Sequence, residues 1–175
     1  MWSMTTATTA MAVAPDGTNL LTRHWAADGA PWASVLIVHG LAEHSGRYED
    51  VGRQMAEAGL EVHAYDQRGF GRSGGRRAYL AHWSQNHDDL EDRLGAVRAS
   101  ADGRMVALFG HSLGGLIALG YALADPRRPL PDALVLSAPA LDSTIPGWKR
   151  AVRILDSAAA AAGGLTQREA GRYLR

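Results

Sequence analysis

Four short runs of consecutive apolar residues recur along the chain, and each has the length of a strand buried on both faces of a sheet. The runs are Ala33–Val38, Leu60–Tyr65, 105–109 and Ala133–Ser137. Between them, apolar residues recur at the spacing of a helix face. The predicted helices are 48–58, 88–100 and Leu113–Ala124. Because strands and helices alternate, the pattern predicts an α/β fold, with a mainly parallel sheet and helices on both faces.

The two ends of the chain differ from this pattern. Residues 1–10 are rich in Thr and Ala and are predicted to form a loose N-terminus. Two short apolar runs, 11–13 and 20–25, flank a group of turn residues and predict an antiparallel hairpin. The core of the fold is therefore expected within residues 11–142. Residues 143–175 carry a helical stripe and six basic against two acidic side chains, which fits either a solvated helix surface or a binding patch.

Composition narrows the class of protein. The 175 residues include 18 basic and 18 acidic side chains, so the formal net charge is zero and nothing favours nucleic acid as a partner. The absence of cysteine excludes a disulfide scaffold and a thiolate nucleophile. The first basic residue is Arg23, and the apolar stretches are too short to span a bilayer. A cytoplasmic protein is the expectation.

The strongest chemical signal lies between the third apolar run and the helix that follows it. Residues 109–115 read Phe-Gly-His-Ser-Leu-Gly-Gly, which contains G-x-S-x-G in a strand–turn–helix context. A tight turn there would expose the Ser112 hydroxyl, and Gly110 and Gly114 would leave room where the backbone is crowded. Amides at the start of the helix would face a developing oxyanion. The alternative is a glycine-rich connection with an incidental serine.

A second element fits the first. His39, Gly40 and Leu41 follow the first buried run. An oxyanion hole of this type takes one backbone N–H from the residue after the nucleophile and one from a loop after an earlier strand. Leu113 and Leu41 are the expected donors, although an ordinary strand-ending turn would look similar. His39 itself is expected to order the loop rather than to act as general base.

Four blocks of residues, in this order, resemble one enzyme family. The blocks are 39–48 (HGLAEHSGRY), 66–75 (DQRGFGRSGG), 110–115 (GHSLGG) and 136–140 (LSAPA). They resemble the α/β-hydrolases of the monoacylglycerol lipase and lysophospholipase type, the serine aminopeptidase S33 or Hydrolase_4 group. The first block is the most specific of the four.

This resemblance implies an α/β-hydrolase fold and serine esterase chemistry on monoacylglycerols, lysophospholipids or similar lipid esters, with no cofactor and no metal. It implies Ser112 as nucleophile and the Leu41 and Leu113 amides as the oxyanion hole. The residues expected to shape the site are His39, Gly40, Glu43, His44, Gly110, His111 and Gly114. Residues 143–175 would begin a helical cap, through which the protein would have at most peripheral contact with a membrane.

The triad of such enzymes runs Ser, then Asp or Glu, then His along the chain. All seven histidines of this sequence precede Ser112, so the usual base is missing. Asp142 is a candidate acid, but a solvated residue at the start of a helix is the simpler interpretation. We therefore expect the N-terminal part of a hydrolase, with the C-terminal part of the sheet missing. The alternative is a catalytically inactive α/β-hydrolase-like module that binds a ligand or a partner.

Two other kinds of site, a dinucleotide site and a metal site, have weaker support in the sequence. Residues 69–74 match the dinucleotide-binding pattern G-x-G-x-x-G, but the residues after them make a poor helix start. We instead predict that these residues form a Gly- and Arg-rich loop near the active-site rim, which Asp66 orders. His82 and His87 lack a completing carboxylate pattern, and no H-E-x-x-H is present, so no metal site is predicted.

Overall fold

The computed structural model describes residues 6–141, and within them six strands form one sheet with three α-helices. The strands are β1 Thr8–Val13, β2 Asn19–Trp25, β3 Ala33–Val38, β4 Leu60–Tyr65, β5 Met105–His111 and β6 Ala133–Ser137. The helices are α1 Glu49–Glu57, α2 Ser84–Ser100 and α3 Leu113–Ala124, and a 3₁₀ turn, Ser45–Tyr48, precedes α1. Asp142, the candidate acid, and residues 143–175, predicted to begin a helical cap, lie outside the described residues.

The sheet has the order β1-β2-β4-β3-β5-β6. Strands β4, β3, β5 and β6 run parallel, whereas β2 pairs antiparallel with β4, and β1 antiparallel with β2. This confirms the hairpin and the mainly parallel sheet predicted from the sequence. No helix within the described residues is long and apolar enough to cross a membrane.

Apolar side chains pack on both faces of the sheet, as the continuous runs predict. All six residues of β3 are buried, because Leu36 and Val38 face α2 and α3 while Val35 and Ile37 face the side of α1. Complete burial of such a side chain stabilises the fold by about 1.5–3 kcal/mol. Strand β3 is therefore the centre of the core, with helices on either side of it.

Two element boundaries differ from the prediction. Strand β1 begins at Thr8, so the expectation of a loose segment up to residue 10 is wrong for residues 8–10. These residues pair with β2 in register, with Thr8 opposite His24. Pairing through the backbone requires no apolar side chains, so the residue types of this segment do not reveal the strand. Helix α2 begins at Ser84, four residues before the predicted start. The prediction began too late because the first turn of the helix is polar, although Asn86 and His87 in that turn are buried.

The parallel strands place the candidate chemistry at one edge of the sheet. The loops after β3, β4 and β5 leave the carboxyl ends of adjacent strands, where ligands bind in open α/β sheets. These loops carry three of the four family-like blocks.

Candidate active site

Ser112 lies in a sharp turn between β5 and α3. Its backbone has φ 52° and ψ −115°, a left-handed conformation that costs a non-glycine residue on the order of 1–3 kcal/mol. Three hydrogen bonds hold it there. The Ser112 N–H donates to the Ser137 carbonyl at 3.0 Å, and the Ser112 carbonyl accepts from Ala140 at 3.0 Å and from Leu116 at 3.1 Å. The strain is thus supported from β6 and from the residues that follow it.

Two glycines allow the turn to pack closely against its neighbours. A Cβ built on Gly110 would lie 2.5 Å from the carbonyl oxygen of Gly114. A Cβ built on Gly114 would lie 2.5 Å from the His39 carbonyl oxygen and nearer still to that of Val38. Only glycine avoids these overlaps, so the first turn of α3 can lie directly against the end of β3.

The loop after β3 lies beside the serine. A Cβ built on Gly40 would lie 3.3 Å from the Ser112 Cβ, so nothing larger than glycine fits there without displacement. The Gly40 N–H is already taken, because it donates to Glu43 Oε2 at 2.9 Å. The next N–H along this loop is that of Leu41, a residue that is 40% exposed. Leu113 is the first residue of α3, where N–H groups have no acceptor within the helix.

Glu43 organises this loop. Its carboxylate accepts hydrogen bonds from the Gly40 N–H and, at 3.0 Å, from the Tyr48 hydroxyl, and Arg47 lies 3.6 Å away. Burial alone would raise the pKa of Glu43, but the two hydrogen bonds and the Arg47 charge together hold that pKa below its ordinary value. Glu43 is therefore anionic at neutral pH and fixes the turn that carries Leu41.

His39 is engaged on both ring nitrogens. Its Nε2 accepts a hydrogen bond from the Gln67 N–H at 2.9 Å, which leaves the proton on Nδ1, and Nδ1 lies 2.8 Å from the Gly40 carbonyl. The ring is fully buried, and burial lowers the pKa of His39. A neutral imidazole with both nitrogens engaged has no lone pair for a serine proton. The ring contacts the backbone of Gly40 and Gln67, and its loop-ordering role stays a prediction.

The other two histidines near the site do not reach the serine hydroxyl. Nδ1 of His111 lies 3.1 Å from both the carbonyl and the hydroxyl oxygen of Ser137, so it ties β5 to β6. His44 is exposed at the start of the 3₁₀ turn. Within residues 6–141, no imidazole forms a hydrogen bond with the Ser112 hydroxyl.

The loop after β4 is ordered by Asp66. Oδ1 of Asp66 accepts from the N–H and the hydroxyl of Ser45 at 2.7 and 2.6 Å, and Oδ2 accepts from the Arg72 N–H at 2.8 Å. Residues 69–74 form turns, and the next helix is α2, so the glycines do not open a helix as a dinucleotide site requires. The loop-ordering role predicted for Asp66 agrees with these contacts.

A family model described as "Serine aminopeptidase, S33" (Hydrolase_4) matches residues 29–172. The chain belongs to the serine aminopeptidase S33 family. Among curated S33-like relatives, a monoacylglycerol lipase of Mycolicibacterium smegmatis is 38% identical over 119 residues, which are 68% of this chain and 42% of that protein. The human monoglyceride lipase is 36% identical over 111 residues, 63% of this chain and 37% of that protein. The chain thus spans about 40% of the length of these relatives.

Solved structures show the same fold. A lipase in its open form superimposes with a TM-score of 0.63 at 30% identity, over 74% of this chain and 43% of that one. A soluble variant of the Saccharomyces cerevisiae monoglyceride lipase, in complex with a substrate analogue, gives a TM-score of 0.70 over 79% of this chain and 47% of that one. Its identity is 23%, so this second match shows the fold alone. The S33 chain has an α/β-hydrolase fold over the matched part.

One buried contact of this S33 chain was missed by the sequence analysis. The Arg68 guanidinium, only 7% exposed, binds Asp89 of α2 through two hydrogen bonds of 2.7 and 2.6 Å and Asp16 through one of 2.7 Å. The loop after β4 is thereby anchored to α2 and to the β1–β2 turn. The partners lie far apart in the sequence, and no local pattern connects them.

The two histidines weighed as metal ligands have separate surroundings. His82 is exposed, whereas His87 is buried with its ring edge-on to Trp83 and Tyr121, at 6.1 and 6.2 Å between ring centres. Burial lowers the pKa of His87 to about 4. These positions agree with the solvated and packing roles expected for them.

Proposed function

We propose that this chain carries the nucleophile and the oxyanion hole of a serine esterase that acts on monoacylglycerols or similar lipid esters. The observation that carries the proposal is the strained Ser112 turn at the start of α3, with the Gly40 loop packed against it. The names of the S33 relatives, monoacylglycerol and monoglyceride lipases, support the substrate class.

In the proposed reaction, the Ser112 hydroxyl attacks the ester carbonyl carbon and the carbonyl oxygen becomes an oxyanion. The backbone N–H groups of Leu41 and Leu113 donate to this oxyanion, and each such donor contributes about 3–4 kcal/mol in the transition state. Collapse of the intermediate expels the alcohol and leaves an acyl group on Ser112. Water then releases the acid and restores the hydroxyl.

The proton of Ser112 needs an acceptor that the described residues do not provide. His39 is engaged on both nitrogens, and His111 binds Ser137. We propose that the base and its supporting acid come from residues outside this sequence, as the 42% and 37% coverage of the relatives allows. The same observation favours a second function, a catalytically inactive binding module, because an unassisted serine hydroxyl is a weak nucleophile.

Covalent labelling separates the two functions. The 175-residue chain is treated with a fluorophosphonate probe and assayed with a short p-nitrophenyl ester, beside Ser112→Ala and the control Ser84→Ala, which alters an exposed serine at the start of α2. The esterase proposal expects labelling and slow hydrolysis in the wild type and Ser84→Ala, and neither in Ser112→Ala. A wild type as inert as Ser112→Ala in both assays shows that the 175-residue chain is not an enzyme by itself, which favours the binding module for this chain. Labelling that persists in Ser112→Ala refutes the role of this serine.

A further inference from the structure

Three side chains that can bind a metal lie together on one face of the β2–β4 pair. His24 of β2 stands directly opposite His63 of β4 in the antiparallel register. Glu61 lies two residues before His63, so it points to the same face of the sheet. One ligand atom from each of the three lies within 4.8 Å of the other two. The two imidazole rings are stacked, with their centres 4.8 Å apart.

The contacts around this cluster leave one ligand atom unused. His24 Nε2 contacts Glu61 Oε1, while Glu61 Oε2 accepts from the Ala27 N–H at 3.0 Å, which fixes the orientation of the carboxylate. His63 Nε2 is buried and has no hydrogen-bond partner among the described residues. A buried polar atom without a partner costs about 1–3 kcal/mol, so it calls for an explanation.

The surroundings suit a partly hydrated ion. A cavity of about 170 Å³ adjoins His24 and His63 beneath α2, which is space for several water molecules. Arg93 of α2 also lines this cavity, but its guanidinium is paired with the Asp92 carboxylate, which offsets its charge.

We propose that His24, Glu61 and His63 form a binding site for a divalent transition-metal ion of the Zn²⁺ type. Two imidazole nitrogens and one carboxylate oxygen are a ligand set that Zn²⁺ accepts, with water in the remaining position. Ca²⁺ and Mg²⁺ prefer sites built from oxygen alone. The ion replaces the direct contact between His24 and Glu61 and gives the His63 nitrogen a partner.

The position of this site indicates a structural role. Strand β3 lies between β4 and β5 in the sheet, so the cluster is separated from Ser112 by a full strand. An ion held by both β2 and β4 would join the N-terminal hairpin to the parallel part of the sheet. Motifs such as H-E-x-x-H detect metal ligands that share one helix, and a site divided between two strands falls outside that pattern.

Metal titration of the full 175-residue chain tests the proposal. The chain is stripped with a chelator, then titrated with ZnCl₂ by calorimetry and with Co²⁺ by visible absorption. The variants are His63→Ala and His24→Gln, and His82→Ala is the matched control because it removes an exposed histidine elsewhere. We expect one ion per chain and a raised Tm for the wild type and His82→Ala. We expect more than about tenfold weaker binding in both site variants, since loss of even a supporting partner of a ligand costs that much.

Two results would overturn the proposal. One is a wild type that binds no Zn²⁺ or Co²⁺, and the other is equal affinity in the wild type and His24→Gln. His24 is partly exposed, so His24→Gln decides the question even if His63→Ala fails to fold, with far-UV circular dichroism as the check on folding.

Discussion

Replacement of Gly114 by alanine is a direct test of how tightly the Ser112 turn packs. The added methyl would lie 2.5 Å from the His39 carbonyl oxygen, and real Cβ atoms essentially never approach another atom within 3.0 Å. The Val38 carbonyl oxygen would lie nearer still, so the first turn of α3 and the end of β3 would have to separate by more than about 0.5 Å. Overpacking of this kind costs about 1–3 kcal/mol, and a clash with backbone belongs at the upper end. Helix propensity returns at most about 1 kcal/mol, so we expect a net loss of about 2 kcal/mol.

Gly95 provides the matched control for this substitution. It lies in α2 and is exposed, and a Cβ built on it would have no neighbour within 4 Å. Gly95→Ala should therefore stabilise the fold by about 0.5–1 kcal/mol. Urea unfolding followed by circular dichroism gives the free energy of unfolding of both variants. In thermal unfolding, we expect the Tm of Gly114→Ala to fall by roughly 4–8 °C. If Gly114→Ala is as stable as Gly95→Ala, the close packing of α3 on β3 is refuted.

Three further predictions concern the loop after β4. Asp16→Asn removes a carboxylate whose pKa is lowered from 3.8 to about 2, mainly by the hydrogen bond from Arg68. The stability that this carboxylate adds is present above pH 4 and is lost toward pH 2, so the urea midpoints of the wild type and the variant should converge as the pH falls over that range. Asp89→Ala should lower the free energy of unfolding by about 3 kcal/mol, because it leaves Arg68 buried without its main partner. The double variant Arg68→Met with Asp89→Leu should lose less stability, and a larger loss in the double variant would contradict this. Ser73→Ala should cost about 1–3 kcal/mol by leaving the buried Leu21 N–H without its acceptor at 2.8 Å, whereas an unchanged urea midpoint would show that water replaces the hydroxyl.

The parts of the fold that follow from sequence are those with a strong local pattern. Strands β3 and β4 lie at their predicted positions because continuous apolar runs have few other places in a globular protein. Helix α3 also has its predicted bounds, between the Ser112 turn and Asp125-Pro126. The first turn of α2 was missed because burial of Asn86 and His87 depends on tertiary contacts that residue types do not reveal.

The candidate site was predictable to a similar degree. The G-x-S-x-G pattern correctly predicts the strained turn at Ser112, because its two glycines leave the space that such a turn needs. The role of Glu43 as an acceptor for the Gly40 N–H was not predictable in detail, since it depends on the path of a loop. Likewise, His24 and His63 meet only through the register of two strands that are distant in the sequence.

The supports of the Ser112 turn also set an order of events during folding. The turn rests on the end of β3 at Val38, which precedes it in the chain. It also rests on two hydrogen bonds with residues that follow it, one donated by Ser112 to the Ser137 carbonyl and one donated by the Ala140 N–H to the Ser112 carbonyl. Pairings between distant segments form slowly because loops must close first. In a chain made from its N-terminus, two of the three hydrogen bonds that hold Ser112 cannot form until residues 137 and 140 have been synthesised. The nucleophile would therefore take its reactive shape only after the β5–β6 pair has formed.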